Sequence, residues 1–565
     1  MATVVETTQT ERVTHDTNLT RISMYDWFSP ETGIYTSKQK PIQLPTYPFQ
    51  DVVSLIFSHK HNGVSALIDS SSGFTIPYSK LPQMVKSIAS GLYEIGISQG
   101  DVVSILLPNT IYFPIIFMGI LSIGGIATAI NPLSSLPEIQ KQLNQCRTSF
   151  VFTSSGKINE IEKMGVGVIA VPENVDSISN SPEFSCFYKL LSSKPNLAPK
   201  PLIKQEDTAT ILFSSGTSGP SKGVVMTHRN LIASVELFVR FEAFQYNYPA
   251  SENVYLATLP LFHVYGLSLF ATGLLSLGTT VVVMRKFSEE EMVKAIDKYR
   301  VTHVPAVPPI LRSLVRSKKR HEFPSLKQVS SGAAPLSKSL IEDFLRNFPN
   351  VDFIQGYGMT ETTAVGTRGF NTNAIKYTSI GLLAPNMQAK VVDPISSSSS
   401  SSSSMPPGKS GELWLRGPGV MKGYLNNEDA TKSAIDKEGW LHTGDIAYFD
   451  HDGYIYVLDR MKEIIKYKGF QIAPADLESV LISHPDILDT AVTAGVDEIA
   501  GEIPIAFVVK RQGSLISEAD VKTYVAGKVA PYKKVRKVIF TRSIPKSSAG
   551  KILRRQLKES LKSRM

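Results

Sequence analysis

Four short stretches carry residues whose types and spacing can do chemistry. The first is "SSGTSGPSKGV", Ser214–Val224. Nothing in it can build a core. Its glycines let the backbone approach an anion closely, successive N–H groups and hydroxyls supply donors, and Lys222 supplies charge. That set suits a polyphosphate. It is not the Walker sequence, which needs glycine before the lysine and serine or threonine after it; Ser221 and Gly223 flank Lys222 here. Alone, such a loop reads as a surface turn, and the motifs that follow reverse that reading. The run before it is β-rich, and a helix is expected after it. The second stretch is "GYGMTE", Gly356–Glu361. Tyr357 can stack on a base, and Glu361 with Thr360 can hold Mg²⁺ through oxygen ligands. The third, "GWLHTGD" (Gly439–Asp445), ends a turn on a carboxylate. One carboxylate can accept hydrogen bonds from both hydroxyls of a ribose. The fourth, "IPKSSAGKILRR", sets Lys551 behind a flexible turn. A lysine so placed suits an oxygen that becomes anionic only during reaction. The order of the four along one chain says more than any of them singly.

These groups need scaffolding. From about Asp51, apolar β-rich runs alternate with helical patterns: "VVSILLP" (Val102–Pro108), "SFVFTSS" (Ser149–Ser155), "TATILFSS" (Thr208–Ser215), "TTVVVMRKF" (Thr279–Phe287) and "THVPAVPP" (Thr302–Pro309). "NLIASVELFVRFEAF" (Asn230–Phe244) has helical spacing. Strand–helix–strand alternation predicts parallel sheets covered by helices. After about Pro385 the strands shorten. "QAKVVD" and "GELWLRG" flank nine serines, Ser396–Ser404, which read as a flexible hairpin-loop insertion. Gly453–Leu481 runs from strand through a charged turn to a helix, and a domain boundary is expected near Asp459–Lys462. Residues 1–45 are polar and read as a loosely attached arm. The expected division is 1–45 arm, 46–460 large domain, 461–560 small domain and 561–565 tail.

With 565 residues, 42% hydrophobic and 19% charged, a sizeable core is expected. The net charge of +9 is modest for this length. It fits a solvated basic surface or attraction of phosphorylated small molecules. No nucleic-acid motif accompanies it, so no nucleic-acid partner is expected. Two cysteines, Cys146 and Cys186, exclude a disulfide framework. The N-terminus has no apolar signal region. The apolar stretch Tyr112–Asn131 is broken by Pro114, Gly119, Gly124 and Gly125; it reads as a buried helix running into a strand, not a membrane span. The chain ends Ser563-Arg564-Met565, a small–basic–apolar tripeptide of the peroxisomal type. A peroxisomal location through an import receptor is expected, with the cytoplasm as the alternative.

Taken together, these motifs resemble the acyl-adenylate-forming superfamily, and within it the plant 4-coumarate–CoA ligases and their ligase-like relatives, over roughly residues 50–555. "SSGTSGPSKGV" resembles the AMP-binding signature, "GELWLRG" the second family box and "KSSAGK" the catalytic-lysine motif. The resemblance implies an α/β fold: a large N-terminal domain of helix-covered sheets with a β subdomain, and a small mobile α+β C-terminal domain. It implies an ATP-dependent, AMP-forming carboxylate–CoA ligase, with ATP and CoA as co-substrates and Mg²⁺ as cofactor. Ser214, Ser215, Gly216, Thr217, Ser218 and Lys222 would hold the phosphates. Ala333, Gln355, Gly356 and Thr360 would line the nucleotide pocket, with Thr360 and Glu361 at the metal. Asp445 and Arg460 would grip the ribose. Lys462 would be the hinge and, with Lys466 and Gln471, contact the acyl-adenylate. Lys286, Lys468 and Gly469 would contact CoA, and Lys551 would be the adenylation lysine. Lys466 and His263 are the other catalytic candidates.

His263, Tyr265, Ser330 and Gly358 would lie against the acid, with Tyr265 at the phenol of a 4-coumarate-like substrate or simply a packed wall. A small Ser330 would make room and a bulky Leu269 would take it away. Hydroxycinnamic acids are the expected substrates. Peroxisomal fatty or oxylipin acids come second, ahead of a luciferase-like oxygenase or a non-catalytic nucleotide binder.

Overall fold

The computed structural model describes residues 25–173, 181–198, 200–214, 221–318, 321–369, 376–393, 404–467, 470–497, 501–529, 531–547 and 550–562. Within them the architecture is the expected α/β one: four sheets with helices packed against them.

One sheet of nine strands has a parallel centre. Strands Ser65–Asp69, Thr280–Val283, Val254–Ala257, His303–Ala306, Gln328–Ser331 and Asp352–Tyr357 run side by side, and short antiparallel strands finish both edges. A seven-stranded sheet is built likewise. Val102–Leu106, Ile126–Ala129, Phe150–Ser154, Gly167–Val171 and Thr208–Ser214 are parallel, and Lys222–Thr227 returns antiparallel at one side. Such strands are buried on both faces, which is why they read as continuous apolar runs; Val102–Leu106 is buried at every position. The helix Tyr112–Ser122 is buried along nearly its whole length and feeds the strand Ile126–Ala129, as Tyr112–Asn131 predicts. No described helix is long and apolar enough to cross a membrane.

A six-stranded antiparallel sheet joins Phe28–Ser29, Ile34–Thr36, Gln388–Val392, Gly411–Arg416, Leu441–Phe449 and Ile455–Arg460. The strands Gln388–Val392 and Gly411–Arg416, which precede and follow the serine run in the sequence, pair antiparallel; the expected hairpin loop falls on Ser396–Ser403, which lie outside the described residues. The first two strands fix part of the expected arm, residues 28–36, to this sheet; residues 1–24 lie outside the described residues. Trp27, Phe28 and Tyr35 are buried, and Tyr35 stacks on Phe449 at 4.0 Å. Three large rings that leave water here outweigh the polar composition around them.

The fourth sheet, Phe470–Ile472, Ile465–Tyr467, Gly501–Lys510, Ile487–Asp497 and Lys537–Phe540, belongs to the C-terminal part. One apolar cluster runs from Trp27 to Ile455, and separate clusters begin at Ile465. Two local expectations are corrected. The glycine-rich loop joins two antiparallel strands, with the helix His228–Ser234 only after the second. Between the charged turn and the helix Pro474–Ile482 lies an extra hairpin, Ile465–Tyr467 with Phe470–Ile472.

Candidate active site

The site forms where three sheets and the C-terminal part meet. The nine-stranded sheet contributes most, through residues at the carboxyl ends of its parallel strands, the usual place for ligands in such sheets. Ala333 follows Gln328–Ser331, Gln355–Gly358 end and follow Asp352–Tyr357, and His263 follows Val254–Ala257. These segments are fixed individually. Asn109, buried, donates to the Leu259 carbonyl at 2.9 Å and accepts from the Leu261 N–H at 2.8 Å, which holds the segment before His263. The Gln355 amide donates to the Tyr377 carbonyl at 2.6 Å. Ala333 sits at φ +67°, and Thr363 and Ala364 at +52° and +62°. Side-chain-bearing residues reach that region at a cost of about 1–2 kcal/mol each, and such strain collects at sites whose surroundings over-determine it.

A cleft is lined by Phe238, His263, Tyr265, Gly332–Ala333, Gly356–Gly358, Ala364, Thr367 and Arg368. His263 caps its own short helix, with Nδ1 accepting the Tyr265 N–H at 3.4 Å. Nδ1 as acceptor puts the proton on Nε2. Burial, with the Lys551 charge nearby, pushes the imidazole down to about 4, so it is neutral at physiological pH. The Tyr265 hydroxyl lies 3.4 Å from that of Ser330, which is buried behind the cleft wall. Leu269 is buried in the main core, outside the cleft lining.

The six-stranded sheet supplies Asp445 and Arg460, directly opposite each other in register. Asp445 does not end a turn, as the sequence implied; it lies inside the strand Leu441–Phe449. Its Oδ1 is 3.2 Å from Arg460 Nε, and its Oδ2 accepts the Tyr357 hydroxyl at 2.6 Å. Tyr357, anticipated as a stacking ring, is thus also a donor. Burial and Asp445 hold its hydroxyl well above its usual range, so it keeps its proton. The seven-stranded sheet supplies Ser214 and Lys222, paired in register at the mouth of the glycine-rich loop. The Ser214 hydroxyl is buried with no partner among the described residues. Lys222 Nζ stands 4.9 Å from the centre of the Tyr424 ring, whose hydroxyl donates to Glu361 Oε1 at 3.1 Å. Glu361 is buried. An orphan hydroxyl, a cation and a buried carboxylate beside Thr360 are the donor set a magnesium-bound polyphosphate calls for.

Lys551 completes the group. The bridge Lys546↔Ile552 closes its turn, the Ser547 N–H donates to the Lys551 carbonyl at 2.8 Å, and Gly550 at φ +76° packs so near Pro309 that a Cβ there would lie 3.2 Å from it. The turn therefore rests on the large part of the chain. Burial lowers the Lys551 amine to about 8, with Arg460 pushing the same way and Asp445, Glu463 and Glu361 opposing. The Lys551 ammonium thus feels the charges of Arg460, Asp445, Glu463 and Glu361.

The other expected residues are not among those that line the cleft. Lys286 is exposed in a bend after Thr280–Val283, and Lys462 is exposed in the turn after Ile455–Arg460. Lys466 and Gln471 are register partners in the backbone of the added hairpin. Ser215, Gly216, Thr217, Ser218, Lys468, Gly469 and Ser563–Met565 lie outside the described residues. Sequence reasoning missed Tyr424, Phe238, Arg368 and Glu242. A lone arginine in "GTRGF" carries no spacing signal, and its partner is 126 residues away.

The AMP-binding enzyme family matches residues 57–425, and the AMP-binding enzyme C-terminal domain matches 476–551. A 4-coumarate–CoA ligase-like protein of Arabidopsis thaliana (number 6 of its series) is 59% identical over 95% of this chain and 94% of its own. A peroxisomal OPC-8:0-CoA ligase of the same organism is 42% identical over 94% and 96%. Among solved structures, o-succinylbenzoate CoA synthetase of Bacillus subtilis with its acyl-adenylate OSB-AMP superposes with TM-score 0.76 at 27% identity, covering 90% of this chain and 98% of that one. The same enzyme with ATP and a magnesium ion gives 0.74 at 28%, covering 88% and 97%. The chain belongs to the AMP-binding enzyme family, among its 4-coumarate–CoA ligase-like members. It is an AMP-forming acid–CoA ligase.

Proposed function

We propose that this ligase activates 4-coumarate or a related hydroxycinnamic acid, first as the acyl-adenylate and then as the CoA thioester. A free carboxylate is a poor acyl donor because oxide leaves badly; AMP is a good leaving group. The carboxylate attacks the α-phosphorus and pyrophosphate departs. Ser214, Lys222 and the loop between them cradle the departing phosphates. Asp445 and Arg460 hold the ribose, and Lys551 bridges the carboxylate and α-phosphate oxygens as charge develops. Glu361 and Thr360 would hold magnesium, which when bound would supply charge neutralisation for the pyrophosphate. Neutral His263 lies beside the acid as an Nε2–H donor. The CoA thiol then attacks the acyl carbon and AMP leaves. Lys466 and Gln471 contact the adenylate, Lys286, Lys468 and Gly469 receive CoA, and rotation about Lys462 exchanges Lys551 for the CoA-binding face.

The observation that carries this reading is the placement of Lys551 in the field of Arg460, Asp445 and Glu361, beside His263. The test is a panel of carboxylic acids with ATP, Mg²⁺ and CoA, following pyrophosphate and thioester. Thioester from 4-coumarate and little from medium-chain fatty acids is the expected result; the reverse favours the second reading. That reading, a fatty or oxylipin acid, is supported by the peroxisomal OPC-8:0-CoA ligase relative. The same relative and the terminal Ser563-Arg564-Met565 support import into peroxisomes. An import assay of the chain with and without those three residues decides it, unchanged location removing the proposal.

A further inference from the structure

The inner wall of the cleft carries a buried ion pair that the adenylation chemistry does not use. Arg368 and Glu242 are 5% and 6% exposed. The Arg368 Nε donates to Glu242, and the guanidinium lies over the Phe238 ring, 4.8 Å from its centre. Arg368 and Tyr265 line the cleft together and interact electrostatically. Its Nη1 lies against Gly356: a Cβ on that residue would come within 2.6 Å of it. Arg368, Phe238 and Tyr265 line the same cleft as His263, the residue beside Lys551. An acid whose carboxylate meets Lys551 and His263 therefore runs its tail toward this pair.

A buried pair of this kind is weak evidence for stability, since apolar residues of similar volume commonly serve as well. Its placement in the wall of the cleft asks for a ligand reason. Glu242 takes the Nε side of the guanidinium and cancels its charge. Glu242 accepts from Nε alone, so the Nη groups, one of them against the cleft residue Gly356, remain as donors that a ligand in the cleft can use. A second carboxylate is a poor answer, as two anions would share one cation in a low-dielectric pocket. A hydrocarbon end is worse, since it offers no acceptor at all.

We propose that Arg368, held by Glu242, is a specificity-determining residue that selects acids carrying a neutral acceptor oxygen, phenolic or keto, at the end remote from the carboxyl group. The inference rests on the cleft being the acid site, as argued under Proposed function. Sites built to hydrogen-bond a substrate group reject analogues lacking it by up to about 10⁴–10⁵-fold, whereas apolar pockets separate methylenes only weakly.

The test compares kcat/KM for 4-hydroxycinnamate with cinnamate, for an ω-oxo fatty acid with its alkyl parent, and for the matching dicarboxylic acid, using the full chain with ATP, Mg²⁺ and CoA. We expect a preference of about 100-fold or more for the oxygen-bearing member of at least one of the first two pairs, with the dicarboxylic acid below the neutral analogue. Which pair shows it separates phenol from ketone. The double substitution Arg368→Met with Glu242→Leu, which removes both charges together, should shrink that ratio to a few-fold by raising the hydrocarbon acid. Arg368→Lys should keep part of it. Wild-type ratios near one, or a ratio that survives the double substitution, overturn the inference. The wild-type comparison needs no variant, so an unstable double mutant leaves the test intact. If acids turn over but the ratios are flat, only this inference falls; if no acid releases pyrophosphate, the reading of the cleft falls with it.

Discussion

At the scale of single residues, the Lys551 amine is the group whose environment says most. Its depressed range near 8 means that it is charged below that pH and neutral above it. Only the ammonium can stabilise an anionic oxygen. The kcat/KM for ATP-dependent pyrophosphate release should therefore hold below about pH 8 and fall tenfold per unit above it, since that parameter reports the free enzyme. Lys551→Arg, which cannot lose its proton, should work slowly but without the alkaline limb. A limb unchanged in that variant would assign it to another group. Tyr357 gives a second prediction. Tyr357→Phe leaves Asp445 Oδ2 without its donor, a loss of about 1–3 kcal/mol for a buried acceptor. If Asp445 binds ribose, the sugar hydroxyls refill that acceptor. ATP should then raise the melting temperature of the variant more than that of the wild type; equal shifts would remove the ribose assignment.

Secondary-structure elements decide how Lys551 is presented. The helix Arg554–Lys562 follows it directly. That helix is tied down by Arg554, which holds Glu478 through two contacts of 2.7 and 2.8 Å and donates to the Val492 carbonyl at 3.0 Å. Burial raises the Glu478 carboxyl despite this partner, and Glu478 holds the Arg554 guanidinium above its usual range. Removing one member strands the other. Arg554→Ala should destabilise the chain by about 3–5 kcal/mol, read as a lowered denaturation midpoint. Replacing both residues by apolar ones should recover much of that. Elements are also where the sequence was legible in part. The parallel strands announced themselves because burial on both faces leaves an apolar run with no alternation. The hairpin after Met461 did not, because two three-residue strands are too short to show any period. The strand Lys222–Thr227 was hidden by the lysine and glycine that open it, which read as loop.

At the scale of the whole molecule, the proposed reaction requires the C-terminal part to bring Lys551 to the cleft for one half-reaction and remove it for the other. Lys551→Ala should cost about 10²–10³-fold in adenylation, the scale of one electrostatic stabiliser, yet still convert preformed acyl-adenylate to thioester. Gly550→Val probes the docking itself. A β-carbon at φ +76°, 3.2 Å from Pro309, costs about 1–2 kcal/mol in backbone strain alone. Adenylation should slow roughly tenfold while thioester formation is spared. Equal losses in both half-reactions, for either variant, would remove the two-conformation account.

The sequence by itself determined which chemistry the chain carries. The proposed roles of phosphate cradling, oxygen ligation of a cation and a lysine on a tight turn each need particular residue types within a few positions, so they leave a local trace at Ser214–Lys222, Thr360–Glu361 and Gly550–Lys551. Tertiary structure alone decided which groups meet. Tyr357 reaches Asp445 across 88 residues, Tyr424 reaches Glu361 across 63, and Arg368 reaches Glu242 across 126. Burial and partnership arise from the packing of separate sheets, and that is a property no window of neighbouring residues contains.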